Sequence, residues 1–145
     1  MIEVDIVKNN SDNAINSKNL KTYCKEVLNY KGYKSYSVSL IFVNEEKLKE
    51  MKNTYFQQNL YTDVIAFNLN NENEDLEGEL YLSIEIIGHN AKLYNVSLDD
   101  EIKRVVAHGI LHLIGYDDDN DSSKRQMTEN EDSCIKLFKN ISIVC

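Results

Sequence analysis

The chain reads as a single α/β domain, α+β-like in character, with a small mixed sheet of about four strands and about five helices. Three observations predict this. Segments with apolar residues at every second position follow one another along the chain with segments spaced by three and four. The 145 residues are the length of one domain, and no linker or repeat divides residues 1–145. Hydrophobic residues at 42% and charged residues at 28% match globular usage, which excludes general disorder, collagen and coiled coil.

Ile2, Val4 and Ile6 alternate with Glu3 and Asp5, the pattern of a half-buried strand, which the polar stretch Asn9–Asn16 ends. Ser17 is placed to cap a first helix whose Leu20, Tyr23, Cys24, Val27, Leu28 and Tyr30 make one apolar stripe, with Gly32 as its stop. Ser35–Val43 is rich in β-formers and ends in a continuous apolar run, which predicts an interior strand. Asn44 caps a second helix over Glu45–Tyr55. Asp63–Phe67 is expected as a central strand, and the polar tract Asn68–Glu77 as a loop.

Gly78 opens a strand over Glu79–Ile87, with apolar residues at 80, 82, 84 and 86, expected to form a hairpin with the strand before it. Gly88–Asn95 is ambiguous and admits a short helix. Ser97 with Asp100 makes a capping box for the clearest helix, which runs to Ile114 and stops at Gly115. After the acidic loop Asp117–Asp121, Ser123 with Gln126 is expected to cap a last helix reaching Phe138.

The chain carries 24 acidic and 16 basic residues, a net charge of −8, which argues against a broad grip on nucleic acid. Seven of those acids lie between Asp117 and Asp132, so the excess is local and leaves room for a small basic cleft. Cys24, Cys134 and Cys145 form no C-x-x-C pair, which fits a reducing compartment and ordinary buried or terminal thiols. With no apolar run near the roughly 18 residues of a membrane span and no signal-like start in MIEVDIVKNN, a soluble cytoplasmic protein without a membrane partner is expected.

Two of only three histidines, His108 and His112, stand four apart on the clearest helix and so share a face. Alone, such a pair is as well read as two packed, hydrogen-bonded imidazoles. Gly115 and Asp118 change the weight, because His108, His112, Gly115 and Asp118 fall at the 0, 4, 7 and 10 offsets of metzincin zinc sites. The glycine lets the chain turn back, and a carboxylate takes the third ligand position, for which Asp117 and Asp119 also compete. Zinc held by three protein ligands keeps a fourth position open, the mark of a catalytic site. Gly109 stands where a zinc peptidase has its glutamate base, which disfavours a peptidase. His89, beside the end of an expected strand, reads as structural, with a distant fourth metal partner or a substrate contact as the alternatives.

The run His108–Asp118, HGILHLIGYDD, closely resembles the signature H-G-x-L-H-L-x-G-Y-D-H of the YbeY family of bacterial metal-dependent endoribonucleases and departs from it only at the last position. TDVIAF at Thr62–Phe67 is similar to the family strand T-D-V-L-S-F, and GELYLS at Gly78–Ser83 to G-D-I-x-I-S. The resemblance implies an α/β domain with a zinc site at the end of the histidine helix, in which His108, His112 and Asp118 bind the metal and the two histidines are catalytic. It also implies cleavage of single-stranded RNA, maturation of the 16S rRNA precursor and ribosome quality control. The expected partners are then that RNA and the small ribosomal subunit or its proteins, not DNA.

Two departures from the family pattern carry chemistry. Asp118 replaces the usual third histidine, an oxygen ligand that suits zinc and also manganese or another divalent ion. Asn53–Phe56 is similar to the family's N-x-x-[YF]-R element, without the arginine that would grip phosphate. Other cations must then meet the RNA, and Lys103, Arg104, Lys21 and Lys25 are the expected contacts, with Lys31 and Lys34 near the first helix as further candidates. The competing readings are a metal-dependent hydrolase of peptides or small molecules and a catalytically weak ribosome-associated factor.

Overall fold

A computed structural model describes residues 2–8, 14–56, 62–70 and 75–145. In chain order the elements are β1 (Ile2–Val7), α1 (Ser17–Tyr30), β2 (Tyr36–Phe42), α2 (Glu45–Phe56), β3 (Val64–Asn68), β4 (Leu76–Leu82), α3 (Ile84–Leu93), α4 (Leu98–Leu113) and α5 (Asp121–Leu137). The strands form one mixed sheet in the order β1-β2-β4-β3. β1 is parallel to β2 with Val4 opposite Val38, and β2 is parallel to β4 with Leu40 opposite Leu80. β3 returns antiparallel to β4 with Ala66 opposite Leu80, the hairpin partner the sequence predicts.

The period-two pattern decides which face is filled. Tyr36, Val38, Leu40 and Phe42 of β2 and Leu80 and Leu82 of β4 are buried in the main core with α1 and α4. Each such side chain contributes about 1.5–3 kcal/mol on burial. On the other face, Leu48 and Met51 of α2 cover Ile65, flanked by Phe67 and Tyr81.

α4 is the centre of the domain, touching α1, α3, α5, β3 and β4. Most of its length is buried, from Glu101 to Leu113. A β-carbon at Gly109 would sit 2.9 Å from Leu80 and 3.2 Å from Val64. The helix therefore lies this close to the sheet because position 109 has no side chain, which gives the glycine after the first histidine a packing reason.

Several boundaries differ from the sequence expectation. Asn16, not Ser17, caps α1, its side chain accepting from the Asn19 N–H at 3.0 Å. α5 begins at Asp121, capped by Asn120 in reciprocal hydrogen bonds with Ser123, so Ser123 is the third helical residue and not the cap. The strand expected over Glu79–Ile87 ends at Leu82, where the Ser83 hydroxyl accepts from the Ile86 N–H and starts α3. There Ile87 and Ala91, four apart, are the buried residues, so the helical period wins over the alternation at 84 and 86.

β3 is an edge strand, not a central one. Its apolar run has a different cause, since Val64 and Ala66 pack on the main core while Ile65 and Phe67 pack under α2. Asn68 closes β3, and Leu76 already belongs to β4, which shortens the loop expected over Asn68–Glu77. Residues 71–74 of that tract and 9–13 of the first polar stretch lie outside the described residues. Cys24 and Cys134 are buried and Cys145 is exposed, all three as free thiols. Among the described residues no helix is long and apolar enough to cross a membrane.

Candidate metal centre and its cleft

The last turns of α4 carry His108 and His112 side by side, with their Nε2 atoms 3.0 Å apart. The helix ends in a Schellman motif: the Gly115 N–H donates to the His112 carbonyl at 3.2 Å and the Tyr116 N–H to the Leu111 carbonyl at 3.0 Å. Gly115 has φ +106°, a left-handed conformation that a side chain would strain. Asn68 of β3 donates its side-chain amide to the Leu113 carbonyl at 2.9 Å, pinning the same turn to the sheet.

The reversed chain brings a carboxylate oxygen of Asp118 to 3.8 Å from His108 Nε2 and 3.9 Å from His112 Nε2. Among the described residues, these three form the one His/Cys/Asp/Glu group able to hold a metal ion, with ligand atoms within 4.8 Å of one another. Tetrahedral bonds of about 2.0–2.1 Å put ligand atoms about 3.3–3.4 Å apart. The observed separations of 3.0, 3.8 and 3.9 Å bracket that value, so small side-chain rotations would bring the three atoms to tetrahedral spacing. Of the competing aspartates, Asp117 instead accepts from the Asp119 N–H at 3.3 Å.

Glu131, on α5, is the partner that sequence reading missed. His108 Nδ1 lies 2.6 Å from its carboxylate, and an Nδ1–H donated there leaves the Nε2 lone pair free for a metal. The other Glu131 oxygen accepts from Arg104 Nη1 at 3.1 Å, and Arg104 Nη2 reaches Asp132 at 2.7 Å. The signal was present in the sequence. Met127, Glu131 and Cys134 share the buried stripe of α5, so an acid stands where the helical pattern calls for an apolar residue.

Burial works against the charged form of His108, but the hydrogen bond and charge of Glu131 outweigh it and hold the pKa above the ordinary value. His112 falls below its ordinary value through burial and the neighbouring His108. Asp63, in the same cleft, is raised by burial, with the charge of His108 opposing. The cleft has a volume of about 590 Å³ and runs from the two histidines and Asp118 along β3 to Lys52 and Phe56 of α2.

The expected RNA contacts lie elsewhere. Lys103 is 1% exposed, with its ammonium 2.8 Å from Asp99 and 3.4 Å from the Lys139 carbonyl, so it is part of the core. Arg104 is committed to Glu131 and Asp132. Charge alone misplaces Lys103, which the helix buries, whereas the Arg104 side chain stays 36% exposed beside its two carboxylates. Lys21 and Lys25 are half-buried on α1, outside the cleft lining, and Lys31 donates to the Tyr116 hydroxyl at 3.1 Å. His89 is exposed on α3, beside Glu45 and Glu85 in a separate hollow.

The sequence profile described as Endoribonuclease YbeY matches residues 5–139. The chain belongs to the YbeY endoribonuclease family. The YbeY endoribonuclease of Parabacteroides distasonis is 32% identical over 125 residues, covering 86% of this chain and 87% of that protein. That of Flavobacterium johnsoniae is 39% identical over 101 residues, covering 70% and 72%. The solution structure of a Thermotoga maritima protein superposes with a TM-score of 0.63 at 26% identity, over 95% of this chain and 92% of that one. YbeY membership makes RNA cleavage the chemistry to which this metal group and cleft must answer.

Proposed function

We propose that this chain is a zinc-dependent endoribonuclease for single-stranded RNA. In this reading it acts in the cytoplasm on the 3′ end of the 16S rRNA precursor and in quality control of the small ribosomal subunit. The observation that carries the proposal is the open placement of the metal group. Its ligand atoms face a cleft large enough for a nucleotide, where a structural zinc site would be closed.

His108, His112 and Asp118 supply two imidazole nitrogens and one carboxylate oxygen, a donor set that suits zinc and also admits manganese. A bound ion supplies Lewis acidity toward a phosphate oxygen and a lowered pKa for water. Glu131 and Arg104 do the positioning, holding His108 in one tautomer with its free nitrogen toward the cleft. Gly109 leaves no base on the helix itself, and a side chain there would have to displace the methyls of Leu80 and Val64. RNA carries its own nucleophile, so product ends identify the attack: a 2′,3′-cyclic phosphate for the 2′-hydroxyl, a 5′-phosphate for water.

The test is metal analysis with a single-stranded RNA cleavage assay on the wild type, His112→Ala and Asp118→Ala. His112→Ala is expected to lose metal and cut at background level, and Asp118→Ala to lower both. Retention of metal and cutting by both variants overturns the assignment. The arginine missing from the element that begins at Asn53 favours the second reading, a ribosome-associated factor with little activity. Protein that holds stoichiometric metal and co-sediments with small subunits, yet never cuts RNA, supports that reading instead.

A further inference from the structure

Phe56 and Lys52 stand one turn apart at the end of α2, and both line the cleft that holds the metal group. The Phe56 ring is 42% exposed and stacks on Phe67, with centroids 6.0 Å apart and planes 27° from parallel. Phe67 is itself wedged edge-on between Tyr55 at 5.3 Å and Tyr81 at 5.8 Å. The exposed ring is therefore supported from within the fold. Lys52 Nζ lies 4.7 Å from the Phe56 centroid, a cation–π contact. Among the described residues lining the cleft, Lys52 is the one lysine or arginine.

A flat, supported, exposed ring beside a flexible ammonium is complementary to one nucleotide, a π face joined to an anion. Unpaired bases stack on such rings whatever their identity, and the adjacent phosphate pairs with a cation. We propose that Phe56 and Lys52 form a nucleotide subsite within the metal cleft, Phe56 stacking one unpaired base and Lys52 pairing with the neighbouring phosphate. In the free protein the ammonium rests on the ring; a nucleotide exchanges that contact for a base on the ring and a phosphate on the ammonium. Phe56 grips the base, and Lys52, one turn back along α2, supplies the charge for the phosphate. Because a base in a duplex offers no free face, the subsite selects single strands without strong sequence preference. The inference rests on the RNA reading above and deepens it.

The experiment measures binding of the full-length protein to a fluorescein-labelled 2′-O-methyl oligouridylate hexamer by anisotropy at several salt concentrations. Gels confirm that the strand stays intact, and cleavage of unmodified RNA is assayed in parallel. Phe56→Leu is expected to weaken binding about tenfold or more with an unchanged salt slope, while Phe56→Tyr binds as the wild type does. Lys52→Gln is expected to reduce the slope of log K against log salt by about 0.7, the loss of one phosphate contact on a single strand. On a fully abasic hexamer, wild type and Phe56→Leu should bind alike. Wild-type affinity in Phe56→Leu, or an unchanged slope in Lys52→Gln, overturns the subsite while wild-type cleavage of RNA leaves the nuclease reading standing. A wild type that neither binds nor cuts RNA removes both.

Discussion

The two ends of α4 carry polar pairs at the same helical spacing with opposite uses. At the start, Asp99 and Lys103 meet at 2.8 Å, and Asp99 also accepts from the Ile143 and Val144 N–H groups at 2.6 and 3.0 Å. Through them it ties down the C-terminal segment, which bridges to Ile15 ahead of α1. At the end, His108 and His112 keep 28% and 32% of their side chains exposed, with the far nitrogen of His108 committed to Glu131. One pair has its hydrogen-bonding capacity taken up inside the protein; the other is held so that lone pairs converge on open space. The spacing of four puts two groups on one face, and the neighbours decide whether that face is a clamp or a site.

The largest stability effect is expected for Asp99→Ala, which leaves the buried Lys103 ammonium without its partner and two N–H groups without an acceptor. A loss of about 3–5 kcal/mol in urea unfolding is expected, with cleavage per folded molecule near wild type. A loss below about 1 kcal/mol would show that the clamp is no more than a surface ion pair.

Glu131→Gln should act at the other end of the helix in the opposite sense. It removes the acceptor charge behind His108, and metal affinity measured against a competing chelator is expected to fall about 10- to 100-fold. The helix should remain folded by circular dichroism.

The smallest effect is in the acid arm of the stability curve. Burial alone would raise the Asp99 carboxyl, but the Lys103 ammonium and the two backbone N–H groups outweigh it and hold its pKa below the ordinary 3.8. A depressed carboxyl stabilises the fold fully above its unfolded pKa, and that contribution is lost as the pH falls through its folded value. Asp99→Asn should therefore differ from wild type at neutral pH, with the gap closing below about pH 4. A gap constant from pH 7 to pH 3 would place the effect in packing and not in charge.

Much of this molecule is legible along the chain. The helix from Ser97 to Gly115 is marked at both ends by its cap and its glycine, and the apolar stripe of α1 and the alternation in β2 are visible as spacing. These are local signals, set by which residues share a face within a turn or a strand. The misread boundaries are also local, at places where two signals compete. The alternation through Ile84 and Ile86 continues past the strand's end because the Ser83 cap, not hydropathy, stops β4. Asn16 and Asn120 take the caps expected of Ser17 and Ser123 because a cap is settled by the geometry of the entering chain.

The α/β class, the element order and the grouping of His108, His112 and Asp118 are written in the chain, because those three residues lie within one helix and the turn that ends it. Tertiary packing sets Lys103 against Asp99 in the core and Arg104 against Glu131 and Asp132. It alone brought Glu131 from α5 behind His108, and Lys52 and Phe56 from α2 into the same cleft. The physical reason is range. Helical and strand periodicity reach a few residues, whereas the partners that assign a charged group its role are brought together by the packing of separate elements around α4.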